Sequence, residues 1–130
     1  MKKTVLILCL SLFVVLLTAG CSLLDPFFYG EAHIYKERSS PDGKYVAYIF
    51  ESSGGATSGF MCHISVLPAD EPPPKRGPGN VFRIEGICAD YDMEWLSDDE
   101  LYVRNFRSSR TILQKESIYG IKISYRFMND

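Results

Sequence analysis

The chain has 130 residues, of which 46% are hydrophobic, enough for one domain with a modest core. Its 14 basic and 16 acidic residues leave a net charge of −2. That balance argues against nucleic acid or another polyanion as the main partner, because such ligands favour basic patches.

The first twenty residues stand apart from that domain. Lys2 and Lys3 precede an apolar run, "TVLILCLSLFVVLL", and then the small-residue stretch "TAGC" at Thr18 to Cys21. This is the layout of a secretory signal peptide over residues 1–20. The apolar run falls short of the roughly 20 residues that a membrane-spanning helix needs. With its cysteine at the cleavage point, the segment resembles the signal of a bacterial lipoprotein, "LTAGC" being the lipobox. The resemblance implies a lipid on the Cys21 thiol and cleavage just before it. Leu17 stands one position earlier than the commonest pattern, where Thr18 is found instead. Ser22 rather than Asp after the cysteine favours the periplasmic face of an outer membrane, where the cell has one. Without Lys2 and Lys3 the basic count falls from 14 to 12 against 16 acids, a net of −4.

Removal of residues 1–20 also simplifies the cysteines. Cys9 leaves with the signal and Cys21 carries lipid, so Cys62 and Cys88 remain as a disulfide pair in an oxidising compartment. Their spacing is far from a C-x-x-C redox or metal motif. No metal and no cofactor is expected.

Residues 21–30 read as a lipidated tether. Its Phe27, Phe28 and Tyr29 suit either a domain edge or a membrane interface. Residues 31–130 read as a single all-β domain. Its first strand is expected at Ala32 to Glu37, followed by a turn at "SPDGK". "YVAYIFE", Tyr45 to Glu51, is apolar on both faces and predicts a central strand. A glycine loop follows at Gly54, Gly55, Ala56, Thr57, Ser58 and Gly59. Gly54 and Gly59 have the G-x-x-x-x-G spacing of a phosphate loop, but Phe60 and Met61 stand where Lys and Ser/Thr are needed. The loop reads instead as a reversal whose glycines supply positive φ, and as a candidate interaction surface.

Phe60 to Leu67 is the next predicted strand, with Phe60, Cys62, Ile64 and Val66 on one face. Pro68 to Asn80 holds five of the seven prolines and reads as an exposed, extended spacer. Val81 to Glu85 is a short strand. Tyr91 to Leu96 alternates, with Tyr91, Met93 and Trp95 inward. Asp98, Asp99 and Glu100 read as solvated turn acids without calcium-loop spacing. Leu101 to Phe106, Ile112 to Lys115 and Ile118 to Met128 complete the set, with Ile121, Ile123, Tyr125 and Phe127 on one face. The expected fold is a single small antiparallel meander of about seven strands, forming a sandwich or open barrel.

"SPDGKYV" and "SDDELYV" share the pattern S-x-D-x-x-Y-V. The motif looks like the hairpins of TolB-type propeller blades, but about 110 residues cannot supply the four or more blades a propeller requires. His33 and His63 are the two histidines, and neither lies in a nucleophile motif. The chain therefore reads as non-enzymatic.

"SPDGKYVAYIF", "GGATSGFMCHISVLP", "GNVFRI" and "MEWLSDDELYV", in that order, resemble a family of small bacterial proteins of unknown function, many of them lipoproteins. The likeness spans Ser40 to Val103 and departs at Ser58. It implies a β fold and an exported setting, and carries over no catalytic residues. The expectation is a lipid-anchored envelope protein, held to the membrane through Cys21, that binds a protein partner or serves a structural role. An inhibitor or immunity protein acting on an exported enzyme or toxin is the alternative.

Overall fold

A computed structural model describes residues 1–12, 30–53, 59–105 and 111–127. Residues 2–12 are helical. No helix among the described residues is long and apolar enough to cross a membrane.

The domain is an all-β sandwich, with nine strands among the described residues. These are β1 (His33–Ser39), β2 (Tyr45–Ser53), β3 (Phe60–Pro68), β4 (Phe82–Glu85), β5 (Tyr91–Ser97), β6 (Glu100–Asn105), β7 (Thr111–Gln114), β8 (Ser117–Ile118) and β9 (Ile121–Phe127). A single 3₁₀ turn, Cys88–Asp90, leads into β5. One sheet has the order β1-β2-β3-β4-β7 and the other β5-β6-β9-β8.

β2 has the central position that its sequence predicts. β-branched and aromatic residues fit a pleated surface covered on both sides. Ala47 and Ile49 enter the core between the sheets, beside Cys62, Ile64, Val66, Phe82, Tyr91, Leu101 and Ile121. On the opposite face Val46, Tyr48 and Phe50 form a second buried cluster with Ala32, Ile34 and Leu67.

The meander order holds from β1 to β4 and from β5 to β6, but β9 runs parallel to β6, pairing Glu100 with Lys122 and Asn105 with Phe127. After β6 the chain crosses to β7 at the edge of the other sheet and then returns through β8. A parallel pair needs such a crossover.

The predicted run Ile118 to Met128 is in fact two strands. Tyr119 and Gly120 turn between β8 and β9 with φ of 52° and 74°. Two successive positive φ values make a type I′ hairpin turn. Tyr119 stacks on Tyr45 at 5.5 Å, a contact that helps hold a non-glycine residue in the left-handed region.

The two S-x-D hairpins are built alike. Ser40 Oγ donates to Asp42 Oδ1 at 2.6 Å, and Ser97 Oγ donates to Asp99 Oδ1 at 2.8 Å. In the first, Asp42 also accepts from the Lys44 N–H. These bonds, the Ser40 contact foremost, hold the Asp42 carboxyl below its usual range.

Candidate functional site

β3 starts at Phe60 beside the last residue of β2, Ser53, and its inward side chains include Cys62. Cys88 opens the turn ahead of β5. A disulfide joins the two, with Cα atoms 5.0 Å apart and both residues fully buried. It ties the five-stranded sheet to the start of the four-stranded one.

Phe60 does not join the apolar face predicted for it. It is 67% exposed, while Cys62, Ile64 and Val66 on the same parity are buried. Phe60 is the first residue of its strand, so its inward direction runs past the rim of the core. Gly59 has neither a positive φ nor a close neighbour that a Cβ would meet. It opens a strand, not a helix, so it lacks the helix N-terminus that a phosphate loop uses. Cys21 and the loop residues Gly54, Gly55, Ala56, Thr57 and Ser58 lie outside the described residues.

On the outer face of the five-stranded sheet lies a buried polar node that sequence reasoning missed. His63 is fully buried, opposite Phe50 and stacked on its ring at 5.1 Å. The Gly79 N–H donates to His63 Nδ1 at 3.1 Å. Nδ1 is therefore the acceptor, and the neutral ring carries its proton on Nε2. That Nε2–H donates to Ser52 Oγ at 2.8 Å. Burial, reinforced by the Arg83 charge on β4, pushes the His63 pKa down from 6.5 to about 4. Ser52 and His63 are within the distance of a nucleophile–base pair, but the proton sits on the wrong nitrogen for the ring to act as base towards Ser52. Both residues are shut away from solvent.

Gly79 belongs to the proline-rich segment, whose C-terminal end is no free spacer. Gly77 and Gly79 are buried. Asn80 accepts from Val66 N–H and donates to Val66 C=O, both at 2.9 Å, and so continues the β3 ladder with a side-chain amide. The segment also bonds to the chain ahead of β1, where Ala32 N–H donates to Lys75 C=O at 2.9 Å. A Cβ on Gly79 would lie 2.7 Å from Ile64 O and 2.8 Å from His63 Cβ. Only glycine fits there. The signal in the sequence was "GPGN", two glycines around a proline, which marks close backbone approach as well as a turn.

His33 sits apart from this node, exposed on β1 beside the Tyr35 ring. An open groove of about 430 Å³ is lined by Gln114, Glu116, Lys122, Ile123, Ser124 and Tyr125. It contains neither histidine. Burial, with the nearby Glu116, raises the Tyr125 phenol above its ordinary pKa, and the hydroxyl donates to Lys115 C=O. Among the described residues no group of three or more His, Cys, Asp or Glu side chains is placed to hold a metal ion. Comparison with known proteins finds no family model, no curated protein and no solved structure that matches this chain.

Proposed function

We propose that the chain is an exported lipoprotein of the bacterial cell envelope, anchored through lipid on Cys21, that works by binding or bracing and not by catalysis. The observation that carries this reading is the buried Cys62–Cys88 disulfide. Such bridges form and persist in oxidising compartments and are rare where thiols are kept reduced. The signal-like N-terminus supplies a route to such a compartment. Cys9, the free cysteine among the described residues, lies within that signal segment.

Neither histidine is placed as a general base. His63 is committed to Ser52 and Gly79 in the interior, and His33 stands on the exposed face of β1. The resemblance over Ser40 to Val103 is to exported proteins and adds no activity of its own. A single acyl chain gives only marginal membrane attachment, so two or more chains on residue 21 would be required for lasting residence.

The test is metabolic labelling with palmitate. The native chain is expected to incorporate label and to be processed. Cys21→Ser is expected to abolish labelling and to leave an unprocessed precursor. Equal labelling of both would refute the anchor.

A further inference from the structure

We infer that the end of the sandwich carrying Phe60 and Ile87 rests on the lipid surface, with the two side chains entering the headgroup region. The inference rests on the lipid-anchor reading above and goes beyond it by fixing which end of the domain faces the bilayer.

The first observation is where the tether joins the body. Gly30, the first described residue after the signal segment, donates its N–H to Ser53 C=O at 3.0 Å. Ser53 is the last residue of β2 and pairs with Phe60 at the start of β3. The chain from Cys21 therefore enters the domain at the Phe60 end. The nine residue steps from Cys21 to Gly30 span at most about 30 Å. β2 alone, with its nine residues, rises by about 30 Å. For the opposite end to face the membrane, the tether would have to run fully extended along the whole length of the domain.

The second observation is what this end displays. Phe60 is 67% exposed and Ile87 62% exposed, the two highest values among the described large hydrophobic residues of the domain. They are near neighbours in the fold, because the Gly86 N–H donates to Phe60 C=O. The disulfide holds them there, Phe60 lying two residues before Cys62 and Ile87 one before Cys88. Neighbouring exposed apolar side chains gain by leaving water, as they would in a lipid headgroup region.

The third observation is charge. The opposite end carries the exposed acids Asp42, Asp70, Glu71, Asp98 and Asp99 in its turns, with Lys44 and Lys122 as the basic residues beside them. At the tether end, exposed Lys75 and Arg76 are matched by the exposed acids Glu31 and Glu85, with Glu51 and Asp90 half-buried nearby. A surface rich in anionic lipid repels the acidic end and tolerates the other.

The experiment places the full-length, lipidated protein in vesicles of phosphatidylethanolamine and phosphatidylglycerol with brominated acyl chains, which quench tryptophan on contact. Phe60→Trp and Ile87→Trp report on the proposed face. Leu96→Trp, exposed at the far end of β5, is the control, and the native Trp95 gives a constant background. All three replaced side chains are exposed, and blocked thiols at Cys62 and Cys88 verify the fold. Loss of fluorescence with a blue shift is expected for the first two and not for the third. If neither is quenched more than Leu96→Trp in palmitate-labelled protein, the anchor stands and the orientation is overturned. If the chain takes no label, the anchor fails and the orientation fails with it. If the Phe60→Trp site stays unquenched in vesicles but cross-links to a protein in intact envelopes, the patch serves a protein partner and the inference is also overturned.

Discussion

Protonation of His63 should make this domain acid-labile in a defined window. In the folded state the ring is neutral, with Nδ1 accepting from Gly79 and Nε2–H donating to Ser52. Its pKa is about 4, against 6.5 for the free side chain. The folded value lies below the unfolded one, so the unfolded chain binds more protons between them. The contribution of His63 is therefore fully present above about pH 6.5 and is lost as pH falls towards about 4. The gap corresponds to about 3 kcal/mol in the limit. Linkage puts the loss at about 2 kcal/mol by pH 5. Asp42 and Asp92 also have lowered pKa values, from 3.8, and affect stability only at lower pH. The interval from pH 7 to pH 5 therefore belongs mainly to His63. Urea unfolding of the oxidised domain at half-unit pH steps measures it. His63→Gln, which keeps a donor and an acceptor without a titrating group, should flatten the slope above pH 5 even if its stability at pH 7 is lower. An unchanged slope in that variant would refute the assignment.

Gly79→Ala should destabilise the domain by about 1–3 kcal/mol, since its Cβ would press on backbone that cannot easily yield. Gly59→Ala, with open space around it, should stay within about 0.5 kcal/mol of the native protein; equal effects in urea titrations would contradict the close approach at Gly79. Thiol alkylation of denatured, unreduced protein should find Cys62 and Cys88 blocked, and two free thiols would refute the bridge. Replacing both by Ala should cost about 3.5 kcal/mol on the chain-entropy model, read from the shift in the urea midpoint.

The strands were legible where one physical cause dominated. β2 and β3 are apolar runs bounded by turn signals, and their positions follow from that pattern. Tyr91 and Met93 alternate inward as β5 requires, both 2% exposed. The β8–β9 turn was not legible, because Tyr119 is not a residue that favours positive φ. Its conformation depends on a turn partner, Gly120, and on a tertiary stack with Tyr45. Phe60 fits the period-2 pattern, yet periodicity does not tell where the opposite sheet ends. The node at His63 was hidden for a different reason. It joins residues from β2, β3 and the proline-rich segment, separated by up to 27 positions between Ser52 and Gly79. Only the fold brings them together.

How the sheets close limits how a partner could bind. β1 and β5 are edge strands of different sheets that meet along one side of the sandwich. Trp95 Nε1–H donates to Arg38 C=O at 2.9 Å, and Lys36 Nζ donates to Tyr91 C=O at 2.8 Å. Lys36 also pairs with Asp92 at 3.3 Å. Burial alone would raise the Asp92 pKa, but the Met93 N–H and Lys36 outweigh it and hold the carboxyl ionised. Trp95, and Lys36 with Asp92, thus tie the two edge strands to each other, and the bulge between Ile34 and Lys36 breaks the register of β1. Such features blunt an edge against pairing with another chain. On the other side the chain passes directly from β7 to β8, with Ile123 N–H bonded to Glu116 C=O. β8 itself is two residues long, too short to template a strand. These features discourage strand addition along β1, β5 and β8. One end of the sandwich holds Gly30, bonded to Ser53, with Phe60 and Ile87. The other holds the two S-x-D hairpins with the exposed carboxylates of Asp42, Asp98 and Asp99.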